Sequence, residues 1–225
     1  MAIASEQRSR WRFEFKLNGF IWLPGLIPAE LADSMSRQFQ SILDLEIEMD
    51  KRGTPLSGRG ESRYAVHIGT LAAASGGPLD DARARRNPLV EELVTEILGP
   101  WRYSKLIVEC PCPGSDYMGW HTDMYDGAPE ETGPPKRTTG LKLQIALVAI
   151  GEQNGPIEVI PGSHRMHYSE GDGMVKSLSR IHSSLLLMKP GDAILRDSDL
   201  IHRGTPNRSA APRPLYSQAY KALQE

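Results

Sequence analysis

From Tyr103 onward the chain is cut into short apolar runs, at 106–108, 141–150, 157–160, 184–188, 193–195 and 215–220, separated by Gly- and Pro-containing turns. Runs of this length cannot bury a face alone and must pair side by side, which predicts a strand-rich core. Two helical stretches precede it. Leu31, Met35, Phe39, Ile42, Leu43 and Ile47 keep helical spacing after Pro28, a residue tolerated at a helix start because no N–H is needed there. Leu89, Leu93, Val94 and Ile97 form a second stripe between Pro88 and the Gly99-Pro100 stop. No repeat or linker divides these parts. The expectation is one domain over 1–225, with a helical N-terminal part at about 1–100 and a mainly β core at about 101–222.

Bulk properties restrict the function classes. At 225 residues, with a formal net charge of −2, the chain presents no overall basic field to recruit nucleic acid or an acidic membrane. The best local candidate, Arg83-Ala84-Arg85-Arg86, is small and reads as a solvated face or loop. No run of 18 apolar residues occurs, and the stretch from Met1 to Phe15 lacks the apolar centre of a secretory signal. Cys110 and Cys112 stand too close for an unstrained bridge and read as free strand-end thiols, which fits a reducing interior. A cytoplasmic setting, with no nucleic acid or membrane partner, is the expectation; the chain gives no reading of oligomeric state.

The chemistry begins at Trp120-His121-Thr122-Asp123. In an extended segment, residues two apart project to the same side, so an imidazole and a carboxylate can converge on one cation. With 28 acidic residues among 225, each of six histidines has roughly a one-in-eight chance of such a neighbour, so the pair alone is a coin flip. Position changes the odds. His202 follows the turn at 189–192 and the run at 193–195, and can supply the third ligand of a two-histidine, one-carboxylate set that leaves three positions open on iron(II). Arg213 lies 11 residues beyond His202, and a guanidinium can hold a carboxylate through two parallel bonds.

Asn154-Gly155-Pro156, followed by Pro161-Gly162-Ser163-His164, resembles the NGP-x-x-x-x-PGSH segment of the phytanoyl-CoA dioxygenase family. Asn18-Gly19-Phe20 and Leu23-Pro24-Gly25 are similar to that family's N-terminal strand and helix entry, so the resemblance runs from about 15 to 220. It implies a double-stranded β-helix, or cupin-like jelly roll, with flanking helices. It also implies iron(II), 2-oxoglutarate and O₂ as cofactors, with ascorbate able to sustain activity and with succinate and CO₂ as coproducts. By position, His121, Asp123 and His202 match the metal ligands, and Arg213 matches the residue that receives the distal carboxylate of 2-oxoglutarate. Gln144 falls where a further 2-oxoglutarate contact is found; the plainer reading is a polar residue on a half-buried strand.

One departure matters. Where family members carry Lys-Pro-Pro-Gly, this chain has Glu109-Cys110-Pro111-Cys112-Pro113-Gly114, so the lysine contact is lost or comes from Lys105 or Lys142. Lys105 and Glu109 are candidates for inward charges that need partners. His164 reads as part of a structural turn rather than a second metal pair with His167, and His182 as a surface or strand-edge residue. Tyr64 and His67 are candidate substrate contacts or simply loop residues. The expected reaction is hydroxylation of a C–H bond, with desaturation, cyclisation and epimerisation as alternatives; an intact Asp123 argues against halogenation. A jelly roll that binds metal without turnover, and a cupin-type isomerase, are the competing classes. Arg213 speaks against both.

Overall fold

A computed structural model describes residues 5–53, 60–71, 76–123, 137–166 and 182–223. The turn-rich 54–59 stretch, most of the Pro/Gly-rich 127–140 segment and His167 lie outside the described residues. The elements run α1 (Ser5–Asn18), β1 (Phe20–Leu23), α2 (Ala29–Lys51), β2 (Arg63–His67), α3 (Ala82–Arg85), α4 (Pro88–Leu98), β3 (Trp101–Pro111), β4 (Gly140–Ala146), β5 (Ile157–Val159), β6 (Ser184–Leu186), β7 (Ala193–Asp197), β8 (His202–Gly204) and β9 (Leu215–Ala222). Six strands form one antiparallel sheet in the order β1-β7-β4-β9-β3-β2, and three form a second in the order β6-β5-β8. The jelly roll is therefore present, with helices flanking the larger sheet.

Alternation along the strands builds two cores. Leu141, Leu143 and Ile145 of β4, Leu195 of β7, and Tyr216 and Tyr220 of β9 join Leu31, Met35, Phe39 and Leu43 of α2 and Val90, Leu93 and Val94 of α4 in one buried cluster. Burying each large apolar side chain there contributes about 1.5–3 kcal/mol. The opposite parity, with Ala146, Ile157, Val159, Leu186, Ile194 and Leu215, fills the space between the two sheets. Toward one end of that space the same parity turns polar: Lys142 and Gln144 on β4, Arg196 on β7, Ser217 on β9 and Glu109 on β3.

The helix ends follow local chemistry. Asn87 caps α4 by accepting from Leu89 N (3.1 Å) and Val90 N (3.4 Å), and Gly99 with φ 75° closes it. The Arg83–Arg86 stretch is mostly α3, where Arg83 pairs with Asp81 and Arg85 with Asp80. Two features differ from the sequence expectation. Ser5–Asn18 is helical although it carries no clear apolar stripe; Phe15 is buried, while Phe13 and Leu17 are exposed. The second is β2: the short strand expected within 18–25 is present as β1, but Arg63–His67 is a strand as well, and the two form the edges of the large sheet.

Candidate metal centre

The segment at 118–123 is strung along β8 by backbone bonds. Met118 N donates to Gly204 O (3.0 Å), and His121 and His202 exchange N–H···O bonds in both directions at 3.0 Å. Asp123 N then donates to Ser198 O at 2.8 Å. Side chains two residues apart in this extended run, those of His121 and Asp123, reach the same gap. The Pro161-Gly162-Ser163-His164 motif serves this arrangement: Gly162 turns the chain with φ 82°, and Ser163 Oγ accepts from Ile201 N (2.9 Å) just before the distal histidine. His164 itself is buried, its ring 5.9 Å from that of Phe15, consistent with a structural turn.

His121, Asp123 and His202 come together with their ligand atoms within 4.8 Å of one another. Each imidazole is oriented by a carbonyl: Nδ1 of His121 lies 2.8 Å from Gly119 O, and Nδ1 of His202 lies 2.8 Å from Leu200 O. A carbonyl oxygen only accepts, so both Nδ1 atoms carry a proton, which leaves Nε2 as the atom of each neutral ring that offers a lone pair; in His202 that atom lies 3.1 Å from Arg196 Nη2. Two neutral imidazoles and one carboxylate fit a divalent cation of the iron(II) type. Burial and then the nearby Arg196 hold His202 well below the ordinary histidine range, which keeps it neutral.

Asp123 sits in a closed ring of side chains. Arg196 Nη2 donates to Asp123 Oδ2 (2.5 Å), and Lys142 Nζ lies 3.5 Å from the same oxygen. Lys142 Nζ donates to Glu109 Oε1 (2.9 Å), and Glu109 Oε2 accepts from Gln144 Nε2 (2.8 Å) and Ser217 Oγ (2.6 Å). Gln144 Oε1 accepts from Arg196 Nε (2.9 Å), which completes the circuit. Burial raises the Asp123 carboxyl, but Arg196 and then Lys142 outweigh it and hold the group well below the usual carboxylate range. Burial likewise opposes Glu109, and Lys142 foremost among its partners brings it to about 2.

Arg213 is buried on the other side of the cleft. Its Nη2 donates to Gly155 O (2.5 Å), while Nε and Nη1 have no hydrogen-bond partner among the described residues. Buried donors left unpaired are rare, and two on one guanidinium facing a cleft suit a carboxylate ligand. That cleft, of about 60 Å³, runs from His121, Asp123 and His202 to Arg213 and is also lined by Arg63, Gln144 and Met118. A second pocket of about 230 Å³ shares His121, Asp123 and Glu109 and continues to Lys142, Lys105 and Ser217.

The other candidates divide clearly. Lys142 lies beside the triad, whereas Lys105 is exposed at the outer end of the second pocket. Tyr64 lines the first cleft, although its hydroxyl donates to Asp50 Oδ2 (2.9 Å) on α2; His67 is exposed at the end of β2. Gln144 lines the cleft and links Glu109 to Arg196. His182 is exposed just before β6, and Cys110 and Cys112 are buried free thiols.

Sequence reasoning passed over Arg196 and Arg63. The signal for Arg196 was a charge closing the apolar run Ala193-Ile194-Leu195, on the inward parity of Ile194. Arg63 donates through Nη2 to Asp116 O (2.6 Å) and Thr205 O (2.7 Å), which ties the segment before His121 to the chain after His202.

A jelly roll with two oriented imidazoles and a carboxylate at one end, and a buried arginine across the same cleft, has the architecture of the iron(II)- and 2-oxoglutarate-dependent oxygenases. Residues 15–215 match the Phytanoyl-CoA dioxygenase (PhyH) family, and the chain belongs to it. It is similar to Dioxygenase cnsJ of Penicillium expansum (31% identical over 114 residues, 49% of this chain and 33% of the relative). It is also similar to Ectoine dioxygenase of Sphingopyxis alaskensis (28% over 131 residues, 48% of this chain and 40% of the relative). The matched segments thus span between a third and two-fifths of these curated relatives. In fold it is similar to AviO1 from Streptomyces viridochromogenes (TM-score 0.67, 22% identity, 97% of this chain and 96% of that one). The structure of EctD from S. alaskensis with 2-oxoglutarate and 5-hydroxyectoine is a further likeness (TM-score 0.69, 20% identity, 98% and 77%).

Proposed function

We propose that this chain is an iron(II)- and 2-oxoglutarate-dependent dioxygenase that hydroxylates a C–H bond of a small polar molecule, with 2-oxoglutarate and O₂ consumed and succinate and CO₂ released. One observation carries the reading. The His121, Asp123 and His202 set lines the same cleft as Arg213, a buried guanidinium with two unpartnered nitrogens, so a cation site and a carboxylate receptor lie in one cleft.

The residues divide the work. His121 and His202 would hold the metal through Nε2, and Asp123 would hold it through a carboxylate oxygen. Bound iron(II) supplies O₂ activation and chelation of 2-oxoglutarate. Arg213 would hold the far carboxylate of that cosubstrate and so orient it in the cleft shared with the triad. Arg63 and the Tyr117–Arg203–Trp120 stack, with Arg203 Cζ 4.2 and 4.4 Å from the two ring centroids, hold the His121 segment against β8. The second pocket, on the far side of His121 and Asp123, supports a small substrate with polar groups, since Ser104, Thr122, Ser198 and Ser217 line it.

One domain accounts for the arrangement, because β1 and β2 of the N-terminal part join the sheet that carries the site. Free buried thiols support a reducing, cytoplasmic setting. No helix among the described residues is long and apolar enough to cross a membrane.

The test is succinate formation by purified protein with iron(II), ascorbate and 2-oxoglutarate, over a panel of small polar candidates. Succinate that depends on iron and disappears in His121→Ala supports the reading. Absence of both 2-oxoglutarate binding and succinate would overturn it.

A further inference from the structure

The two oxygens of Asp123 meet different neighbours. Oδ2 receives Arg196 Nη2 at 2.5 Å and lies 3.5 Å from Lys142 Nζ. Oδ1 faces the imidazole of His202, 4.0 Å from Nε2. Neither cation can swing out to solvent: the Arg196 side chain is 0% exposed and that of Lys142 9%. Arg196 is further fixed by Gln144 Oε1 (2.9 Å) and Asp197 O (3.3 Å), its Nη2 also lies 3.1 Å from His202 Nε2, and Lys142 is held by Glu109 Oε1 (2.9 Å). The two stand directly opposite each other on β4 and β7, so the sheet register itself places both on one oxygen.

We infer that Arg196 and Lys142 are positioning residues that make Asp123 a one-oxygen ligand, at the expense of metal affinity. This rests on the reading of His121, Asp123 and His202 as the metal site. A carboxylate with both oxygens free can chelate and take two of six coordination positions. Three protein atoms leave three positions, two for the keto acid and one for O₂; a fourth protein atom removes one of these. Capping Oδ2 with two cations prevents that. The same cations would repel a bound divalent metal and draw electron density from the shared carboxylate.

A general scaffolding role and this positioning role predict opposite signs. Loss of scaffolding loosens the ligands and weakens metal binding. Loss of the caps leaves a more basic carboxylate beside fewer repelling charges, so metal should bind more tightly while turnover falls.

Chelator-stripped protein is titrated with Mn(II) without 2-oxoglutarate, reading free Mn(II) by electron paramagnetic resonance, for wild type, Arg196→Met, Arg196→Lys and Lys142→Met. The dissociation constant should fall about tenfold or more in Arg196→Met and by about threefold in Lys142→Met, whose cation is farther from the carboxylate. Arg196→Lys keeps the charge and should stay within about threefold of wild type. Iron-dependent succinate formation should nevertheless drop at least about tenfold in Arg196→Met. Unchanged or weaker Mn(II) binding in a folded Arg196→Met, checked by circular dichroism, overturns the inference. Should that variant not fold, unchanged or weaker binding by Lys142→Met does the same. Failure of the wild type to bind Mn(II) is a different outcome, because it removes the metal site and this inference together.

Discussion

Arg196 and Asp123, 73 residues apart in the chain, meet at 2.5 Å where the polar end of the barrel interior begins. The contact is one link of a ring in which two cations, Arg196 and Lys142, balance two carboxylates, Asp123 and Glu109. Charges withdrawn from water destabilise a fold unless each is matched, and removing one partner costs more than the pair contributes.

Glu109 is therefore the most sensitive link after the metal ligand. Glu109→Ala leaves Lys142, Gln144 and Ser217 without their shared acceptor. With the Glu109 side chain 30% exposed, the expected loss is about 1–3 kcal/mol of unfolding free energy, read from urea denaturation, and Glu109→Gln should recover part of it. An unchanged midpoint in Glu109→Ala would show that solvent relieves the stranded ammonium.

Acid should act in two opposite stages. Asp197, with Thr138 Oγ1 donating to Oδ2 at 2.6 Å, is raised by burial from 3.8 to about 6. The folded state therefore binds the proton first, and acidification from pH 7 toward 4 should stabilise the protein by about 3 kcal/mol from this group. Glu109 works the other way. Its folded value of about 2 lies below the ordinary 4.5, so its stabilisation is complete above 4.5 and lost as pH falls toward 2. Chemical denaturation of metal-free protein across this range should give a maximum near pH 4–5. Asp197→Asn should flatten the upper slope and leave the lower one, and an unaltered upper slope would reassign it.

Arg213→Met tests the carboxylate receptor apart from the metal. The substitution keeps most of the buried volume and removes the two unpartnered donors. The KM for 2-oxoglutarate should rise about tenfold or more, with Mn(II) affinity within about twofold of wild type. Equal changes in both constants would indicate general damage to the cleft.

Gly191 holds the turn into β7 with φ 86°, its carbonyl accepting from Ile27 N at 3.2 Å just ahead of α2. A Cβ at this position would overlap the Ile27 carbonyl oxygen, and the backbone conformation is itself unfavourable for alanine. Gly191→Ala should cost about 2–4 kcal/mol, measured by thermal or urea unfolding. A midpoint equal to wild type would mean that the α2 entry yields freely.

The His121/Asp123 pair was legible because its geometry is local, and His202 because it follows the 189–192 turn and the run at 193–195 and matches the family pattern. Two positions apart in an extended segment means one side, and the Ser163 turn fixes where the distal histidine enters. The strand-rich core was legible for the same reason, from runs of apolar residues between turns. Arg196 was not legible as part of the site, since its meaning comes from its opposition to Lys142 across two strands, and register does not show in one strand. Helix α1 escaped notice because Phe13 and Leu17 face outward and blur the stripe that Trp11 and Phe15 begin. Strand β2 is buried at Arg63, Tyr64, Ala65 and Val66, so it lacks the alternation that marks a half-buried strand, and its pairing with β3 is distant in sequence.

The bridge between His121 and His202 has a thermodynamic consequence. These residues stand 81 positions apart (121 to 202), yet their backbones already exchange two hydrogen bonds. Closing a loop of that length restricts the chain considerably, and here the restriction is met when the sheet forms. A cation arriving later finds its two imidazoles on one rung of a ladder. Its affinity then reflects donor atoms and nearby charges rather than the ordering of a floppy polymer.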